Sequence, residues 1–180
     1  MAEILIRQAV SPDIELLSHF DHTVKTECVW QMTQNAESGR IVTTFIENHL
    51  PREMRLTYPQ SPDSLLERWK NYSSVLIACI NTVPVGYVTF TSTFASDMLW
   101  VKDLVVDELW RRKSVATTLI QAANSWGASR HFSRMSIEMS SKNFPGISLV
   151  KKCGFEFSGY DDNFFNNNDI ALFFSRYIKQ

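Results

Sequence analysis

The sequence has no long apolar run, little glycine and no excess of charge of either sign. Nowhere in its 180 residues do about 18 apolar residues follow one another, which argues against a membrane-spanning helix. The formal net charge is −1, so the strongly basic character of many nucleic-acid-binding proteins is missing. With 44% hydrophobic and 21% charged residues, the composition predicts one globular domain over residues 1–180.

Cysteine is also scarce. The three cysteines, Cys28, Cys79 and Cys153, are far apart, and their spacing matches no metal-ligand motif. His19 and His22 lie three residues apart on a predicted helix without an evident third ligand, so packing or a surface position is expected. These features, and a first segment unlike a signal peptide, predict a cytoplasmic protein that binds no metal.

Glycine is absent where common phosphate-binding motifs would need it. The stretch VVDELWRRKSVATTLIQAA, residues 105–123, passes from a strand-like run through a basic cluster into a helical pattern without a glycine or proline. The nucleotide P-loop, with its Gly-Lys-Ser or Gly-Lys-Thr end, does not occur. The dinucleotide fingerprint needs three spaced glycines after a strand, and none lies between Leu104 and Trp126. A different anionic ligand is therefore indicated.

The basic cluster is formed by Arg111, Arg112 and Lys113, directly before the predicted helix. A helix start offers backbone N–H groups without intrahelical partners and the positive end of the helix dipole. Phosphates bind readily there, and preceding arginines add charge-assisted hydrogen bonds. The small residues Ser114 and Ala116 would let a phosphate approach the backbone. This pattern predicts a pyrophosphate site, and a solvated basic surface is the alternative.

Periodicity predicts a mixed α/β chain. Strand-like runs are EILIRQAV, CVWQMTQ, RIVTTFIENHL, SVLIACI, VGYVTFTS, MLWVKDLVV, RMSIEMS and ALFFSRYI. One helical pattern follows Ser11, with apolar residues at Ile14, Leu17, Phe20 and Val24, and a second follows Ser61. Two more occupy the stretch after the basic cluster and the segment that ends at Gly154. LPREMRLTYPQSP, which contains three prolines, predicts a crossing segment between elements. The order of these elements predicts an α/β (α+β mixed) fold with a mixed sheet flanked by helices.

Two segments resemble the signatures of the GNAT superfamily of acyl-CoA-dependent N-acetyltransferases. LVVDELWRRKSVATTLI is similar to its motif A, whose Gln/Arg-x-x-Gly-x-Gly/Ala pattern falls on Arg111, Ser114 and Ala116. NFPGISLVKKCGF resembles the second signature, an asparagine and a short helix that ends in Gly-Phe. The resemblance covers about the carboxyl-terminal half and is greatest to the branch that contains streptothricin acetyltransferase. It implies a central, mostly antiparallel twisted sheet of about six or seven strands.

The resemblance also implies acetyl-CoA as co-substrate and a set of residues that bind it. The end of the motif A strand would hold the pantetheine arm through its backbone, and the turn into the helix would hold the pyrophosphate. The sheet would splay between this strand and RMSIEMS, and the thioester would lie in the gap. The predicted cofactor-binding residues are Leu104, Val105, Val106, Arg111, Arg112, Lys113, Ser114, Val115, Ala116, Thr117 and Asn143.

Three positions depart from the family pattern. Ser114 replaces the usual central glycine, so a positive φ would be costly there. Val150 stands where many members have a tyrosine that protonates the leaving thiolate, which leaves the general acid unassigned. Lys102 replaces a glutamate that relatives often carry one position before the aspartate of KDLVV.

Acyl transfer to an amine requires removal of a proton from the ammonium form, and a carboxylate base can assist. Asp103 and Glu138 are the carboxylates nearest the predicted gap. A structural hydrogen bond is the alternative for Asp103, and an exposed strand carboxylate is the alternative for Glu138. Cys153 has no histidine nearby in sequence, so a nucleophilic role is not expected.

The function predicted from these features is transfer of an acetyl group to a primary amine of a small molecule. The alternatives are a protein or peptide N-acetyltransferase and a catalytically silent acyl-CoA-binding module. No nucleic-acid or membrane partner is expected, and the chain would be a monomer or homodimer. The loop DDNFFNNND, residues 161–169, is either a solvated loop or a lip that receives a cationic amine. By family analogy, VWQM and LPREMRLTYP would wall the acceptor pocket.

Overall fold

A computed structural model of the chain describes residues 3–57, 63–93 and 97–178. The helix start predicted at Ser61 and Pro62 lies outside these residues. The α-helices are α1 (Ser11–Ser18), α2 (Asp63–Arg68), α3 (Val115–Ala128) and α4 (Phe144–Lys152). The strands are β1 (Leu5–Gln8), β2 (Val24–Glu37), β3 (Arg40–Leu56), β4 (Ser74–Ile80), β5 (Val83–Thr93), β6 (Met98–Val106), β7 (Arg134–Ser140), β8 (Glu156–Asp161) and β9 (Ala171–Tyr177).

Seven strands form one sheet in the order β1-β4-β5-β6-β7-β9-β8. The pair β6 and β7 is parallel, with α3 as the crossover, and the other neighbouring strands of this sheet are antiparallel. β2 and β3 form a separate long antiparallel hairpin that turns at Gly39, which has a φ of 74°. The predicted fold class, a mixed and mostly antiparallel sheet flanked by helices, is confirmed.

β6 and β7 separate partway along their length. Their parallel pairing runs only from Met98 opposite Arg134 to Val101 opposite Ile137, although both strands continue further. On its other edge, β6 contains a bulge at Lys102, because Phe90 pairs with Val101 and the preceding residue of β5 pairs with Asp103. The gap and the bulge occur at the same level of the sheet.

The core has one hydrophobic cluster on each face of the sheet. On one face, Leu119 of α3 and Ile147 of α4 are buried against β4 to β7 and β9. On the other face, Leu17 of α1 and Leu65 of α2 pack with Ile77 and other residues of β4 and β5. β4 has all seven residues buried, as expected for a continuous apolar run in the middle of a sheet.

The sequence predicted some boundaries wrongly. α1 ends at Ser18, whereas the apolar spacing predicted a helix that continues to Val24. The chain turns instead because the Asp21 carboxylate accepts a hydrogen bond from the N–H of Thr23 at 2.8 Å. β3 continues past Pro51, where a crossing segment was expected; the proline is tolerated because it lies within a break in the hairpin ladder.

β8 was not predicted either. It follows Gly154, which ends α4 with a φ of 81°, and it pairs with β9 at the edge of the sheet. Most residues of β8 are exposed, so the strand has no clear alternation of apolar and polar side chains. In the part of the chain that the structure describes, no helix combines the length and the apolar character required to cross a membrane.

Candidate functional site

A cleft of about 810 Å³ opens where β6 and β7 separate. Its volume lies within the range of about 300 to 1,000 Å³ that is usual for small-molecule sites. The start of α3, α4, the base of the β2–β3 hairpin and the loop after β8 all contribute to its lining. The residues of β6 and β7 that line it are Lys102, Leu104, Val106, Ile137, Glu138, Met139 and Ser140.

The start of α3 has the backbone geometry of an anion site. Arg112 and Ser114 both have left-handed backbone, with φ of 63° and 65°. Where residues with left-handed and right-handed backbone alternate, successive backbone N–H groups point into one concave site that can bind an anion. Within the described residues, no hydrogen bond is formed by the N–H groups of residues 112–117, and the first bond to Ser114 O comes from Thr118 N at 3.0 Å. The small side chains Ala116 and Thr117 line the cleft beside these groups.

Arg111 supports this turn from behind. Its guanidinium donates to the carbonyl oxygens of Val106 at 3.0 Å and Thr23 at 2.8 Å, and also to that of Asp21. The side chain therefore holds the α1–β2 connection against the end of β6. Arg111 also lines the cleft, so its predicted contact with the pyrophosphate stays a prediction beside this structural role.

The other cations of the basic cluster are placed differently. Arg112 is exposed and lines the cleft, so its charge faces a ligand at the start of α3. Lys113 bonds to the carbonyl of Leu109 at 2.9 Å and lies 4.6 Å from the ring centroid of Trp110. Lys152, in the last turn of α4, also lines the cleft, and nothing in the sequence except its charge indicated this position.

The backbone of β6 presents polar groups to the cleft at alternate residues. The carbonyl of Val105 points toward β5. A Cβ on Gly86 of that strand would lie only 2.9 Å from the Val105 carbonyl oxygen. Polar groups of successive strand residues point to opposite edges, so those of Leu104 and Val106 face the gap. The carbonyl of Val106 is already used by Arg111. Among the three predicted strand residues, Leu104 and Val106 therefore face the cleft and Val105 does not.

Asn143 caps α4. Its side-chain oxygen accepts a hydrogen bond from the N–H of Gly146 at 3.0 Å, while the residue also lines the cleft. Gly146 is required for this approach, since a Cβ there would lie 2.7 Å from Asn143 Nδ2. Asn143 thus caps α4 and also lies where it can contact a ligand.

Glu138 lies at the point where the two strands part. Lys102 Nζ lies 2.6 Å from its Oε1, and the indole N–H of Trp100 donates to its Oε2. The Glu138 side chain is 5% exposed, yet the residue lines the cleft. Two donors fix the orientation of the carboxylate, and its remaining lone pairs can accept from a ligand or water.

Asp103, the other predicted carboxylate, is not among the residues that line the cleft. It is buried, and Thr89 Oγ1 donates to it at 2.6 Å. Asp103 also acts on Tyr72. The burial of Tyr72 is the main cause that raises the pKa of its hydroxyl to about 12, and the charge of Asp103 is a further cause. These contacts agree with the structural hydrogen-bonding alternative for Asp103.

His22 is a cleft residue that sequence reasoning assigned to packing or the surface. It is 7% exposed and lines the cleft, and its Nε2 lies 3.2 Å from the hydroxyl of Tyr87. Burial lowers the pKa of His22, so the imidazole is neutral at pH 7. The turn after α1 places His22 in the cleft, and the helical spacing in the sequence did not predict this turn.

The loop after β8 and the hairpin give part of the cleft a lining of mixed polarity. Phe165 and Asp169 of the loop after β8 line it, which agrees with the lip alternative for this loop. Asp169 is buried and accepts hydrogen bonds from Ser140 Oγ at 3.0 Å and from Lys142 Nζ. The hairpin contributes four residues, Val24, Lys25, Leu56 and Thr57.

Val150, at the expected tyrosine position, is 1% exposed and belongs to the core beneath the cleft. It has no ionisable group and cannot donate a proton. Among the described residues that line the cleft, none is a tyrosine. The structure therefore offers no replacement for the usual acid at that position.

The chain is similar in sequence to known acetyltransferases. The model of the family described as "Acetyltransferase (GNAT) family" matches residues 43–155. Streptothricin acetyltransferase from Escherichia coli is 30% identical over 135 residues, which are 72% of this chain and 77% of that protein.

Solved structures share the fold. The crystal structure of nourseothricin acetyltransferase superposes with a TM-score of 0.82 at 21% identity, over 98% of this chain and 99% of that chain. A protein from Bacillus anthracis, solved in complex with acetyl coenzyme A, superposes with a TM-score of 0.78 at 17% identity, over 97% and 99% of the two chains.

Proposed function

Because the chain belongs to the GNAT family of acetyltransferases, we propose that it acetylates a primary amine of a small cationic molecule in the cleft between β6 and β7. Membership in the family confirms the resemblance drawn from LVVDELWRRKSVATTLI and NFPGISLVKKCGF and supports an N-acetyltransferase activity. The E. coli relative is named for streptothricin, so this antibiotic class is the first acceptor to test.

The residues at the start of α3 fit acetyl-CoA, which supplies the activated acetyl group as a thioester. The N–H groups of residues 112–117 form the concavity for the pyrophosphate, and Arg112 adds a cation beside it. Lys152 provides a second cation for the phosphate groups. Leu104 and Val106 offer backbone groups along which the pantetheine arm can lie, as an added strand would.

The shape of the cleft favours a small acceptor over a protein. Leu56 and Thr57 line it beside the hairpin, and Phe165 lines it from the loop after β8. We expect these side chains to narrow the groove that an extended protein substrate would need. The carboxylates Glu138 and Asp169 line the same cleft, each paired with a lysine, and the lone pairs that these ion pairs leave can accept hydrogen bonds from an amine.

The single observation that carries the proposal is the position of Glu138 where the strands part, beside the gap in which the thioester would lie. An alkyl ammonium group with a pKa near 10 must lose a proton before its nitrogen can attack. We assign Glu138 as the base that receives this proton, directly or through a water molecule. Lys102 and Trp100 act as positioning residues, since each donates to one oxygen of the carboxylate.

The reaction balances without a protein acid. The amine nitrogen forms a bond to the acetyl carbon as the carbon–sulfur bond breaks, and the electron pair leaves on the CoA sulfur. A thiolate is a good leaving group because its conjugate thiol has a pKa near 8.5. Val150 cannot protonate it, so the proposal assigns no residue to this step.

The first experiment measures CoA release by the full-length protein with a panel of amines. The panel contains a streptothricin, a lysine-containing peptide, a peptide with a free N-terminus and a reaction without amine, and mass spectrometry identifies the product. We expect acetylated streptothricin and little product from either peptide. Acetylation of a peptide alone would favour the protein-acetyltransferase alternative.

A second experiment separates catalysis from ligand binding. Glu138→Gln should lower kcat about a hundredfold, while thermal stabilisation by acetyl-CoA is retained. Glu156→Gln on the exposed strand β8 is the matched control and should keep full activity. Stabilisation by acetyl-CoA with no turnover of any amine by the unmodified chain would instead indicate a silent binding module.

A further inference from the structure

A cluster of metal-binding side chains lies on the β2–β3 hairpin. Cys28 of β2 and Glu47 and His49 of β3 each place one donor atom within 4.8 Å of the others. The Sγ of Cys28 lies 3.3 Å from Nδ1 and 3.7 Å from Nε2 of His49. Thiol, imidazole and carboxylate are thus brought together at one place.

The strand pairing explains why the three side chains meet. Cys28 is directly opposite His49 in the antiparallel register, so both point to the same face of the hairpin. Glu47 precedes His49 by two residues on the same strand and therefore shares this face. Cys28 and His49 are 21 residues apart, which is why no ligand spacing is visible in the sequence.

The hairpin ladder is broken beside this cluster. Thr26 pairs with Met54, but the next pair is Cys28 with His49, so four residues of β3 have no partner in the ladder. Within the break, Thr26 Oγ1 donates to the carbonyl of Cys28 at 2.6 Å. The two strands are held less firmly here than along the rest of the hairpin, and a bond between Cys28 and His49 through a metal would join them.

We propose that Cys28, His49 and Glu47 bind one Zn²⁺ ion, with water as the fourth ligand. Zinc takes thiolate, imidazole and carboxylate ligands in tetrahedral sets, whereas magnesium and calcium prefer oxygen ligands alone. Its bonds of about 2.0 to 2.3 Å require ligand atoms that lie roughly 3 to 4 Å apart. The distance of 3.3 Å between Sγ and Nδ1 meets this requirement. The thiol releases its proton to solvent on binding.

A metal at this site would also affect the wall of the cleft. Lys25 precedes Cys28 by three residues, and Leu56 follows the unpaired segment of β3; both line the cleft. A metal that joins the strands at Cys28 and His49 would fix the wall that these residues form. This consequence rests on the proposed function, but metal binding itself does not.

Cobalt titration of the reduced, metal-free full-length protein tests the site directly. Co²⁺ replaces Zn²⁺ in thiolate sites and gives a thiolate-to-metal charge-transfer band, which added Zn²⁺ should abolish. We expect one equivalent of Co²⁺ with this band, and no band in Cys28→Ser. His49→Gln and Glu47→Gln should each weaken binding by more than about tenfold. Cys79→Ser and Cys153→Ser are the matched controls, because both thiols lie outside the cluster and should leave the band unchanged.

The unmodified protein also gives a readout that does not depend on activity. Stoichiometric Zn²⁺ should raise its melting temperature, and the rise should be absent in Cys28→Ser when circular dichroism shows that this variant is folded. Absence of the charge-transfer band at a hundredfold excess of Co²⁺, or its survival in folded Cys28→Ser, overturns the proposal. Neither result affects the acetylation assay, so the two proposals can fail separately.

Discussion

Lys102 and Glu138 form an ion pair across the gap between β6 and β7, with Nζ 2.6 Å from Oε1. Lys102 occupies the bulge in β6, and Glu138 lies one residue beyond the last residue of β7 that pairs with β6. The pair therefore stands where the strands separate. Lys102 stands where the resemblance to the family implied a glutamate on the motif A strand, and Glu138 on the neighbouring strand faces the same gap.

The ion pair gives the first prediction. Lys102→Met removes the cation that orients Glu138, so kcat should fall by about tenfold or more and its pH dependence should change. Lys102→Arg keeps the charge and should restore most of the activity. Equal losses in both variants, with unchanged pH profiles, would contradict a positioning role.

The two neighbouring arginines should behave in opposite ways. Arg111→Ala removes hydrogen bonds to three carbonyl oxygens, so it should destabilise the fold by about 2 kcal/mol and lower the melting temperature by roughly 4 to 8 °C. Arg112→Ala should leave stability within about 0.5 kcal/mol but weaken acetyl-CoA binding. Thermal unfolding with and without acetyl-CoA measures both effects, and equal destabilisation by the two variants would contradict the assignment.

Ser114 has a φ of 65°, a conformation that suits glycine. Ser114→Gly should therefore stabilise the protein by about 0.5 to 1 kcal/mol, because relief of the left-handed strain exceeds the added entropy of the unfolded chain. Ser114→Ala retains the strain and is the control. Urea unfolding curves that show no advantage of glycine over alanine would contradict this account.

The start of α1 should depend on pH. Asp13 accepts hydrogen bonds from Arg7 at 2.7 and 2.8 Å and from the N–H of Val10 at 2.8 Å. The bond with Arg7 is the main cause that lowers the pKa of Asp13 below its ordinary value of about 3.9. A lowered pKa contributes stability above about pH 4, and this contribution is lost as the pH falls through the folded-state pKa.

Asp13→Asn should accordingly destabilise the protein at pH 7, and the difference from the unmodified chain should shrink at acidic pH below about 4. Glu15→Gln, on the exposed side of α1, is the control and should change stability little at either pH. Chemical unfolding at several pH values measures the effect. A constant difference for Asp13→Asn across this range would show that the carboxylate charge is not the cause.

Features that depend on residues close together in the chain could be predicted from the sequence alone. The apolar run of β4 and the amphipathic pattern of α3 predicted their elements, because burial follows the period of each backbone. The basic cluster before α3 predicted an anion site, since unpartnered N–H groups are a property of any helix start. The two GNAT signatures also indicated the family from the sequence alone, because each is a short continuous segment.

Contacts between residues far apart in the chain could be read only from the folded structure. Arg111 reaches the carbonyl of Thr23 across 88 residues, and Lys102 pairs with Glu138 across 36. The burial of His22 in the cleft and the meeting of Cys28 with His49 depend equally on turns and strand register. Such contacts arise from the packing of whole elements, and spacing within a local segment carries no information about them.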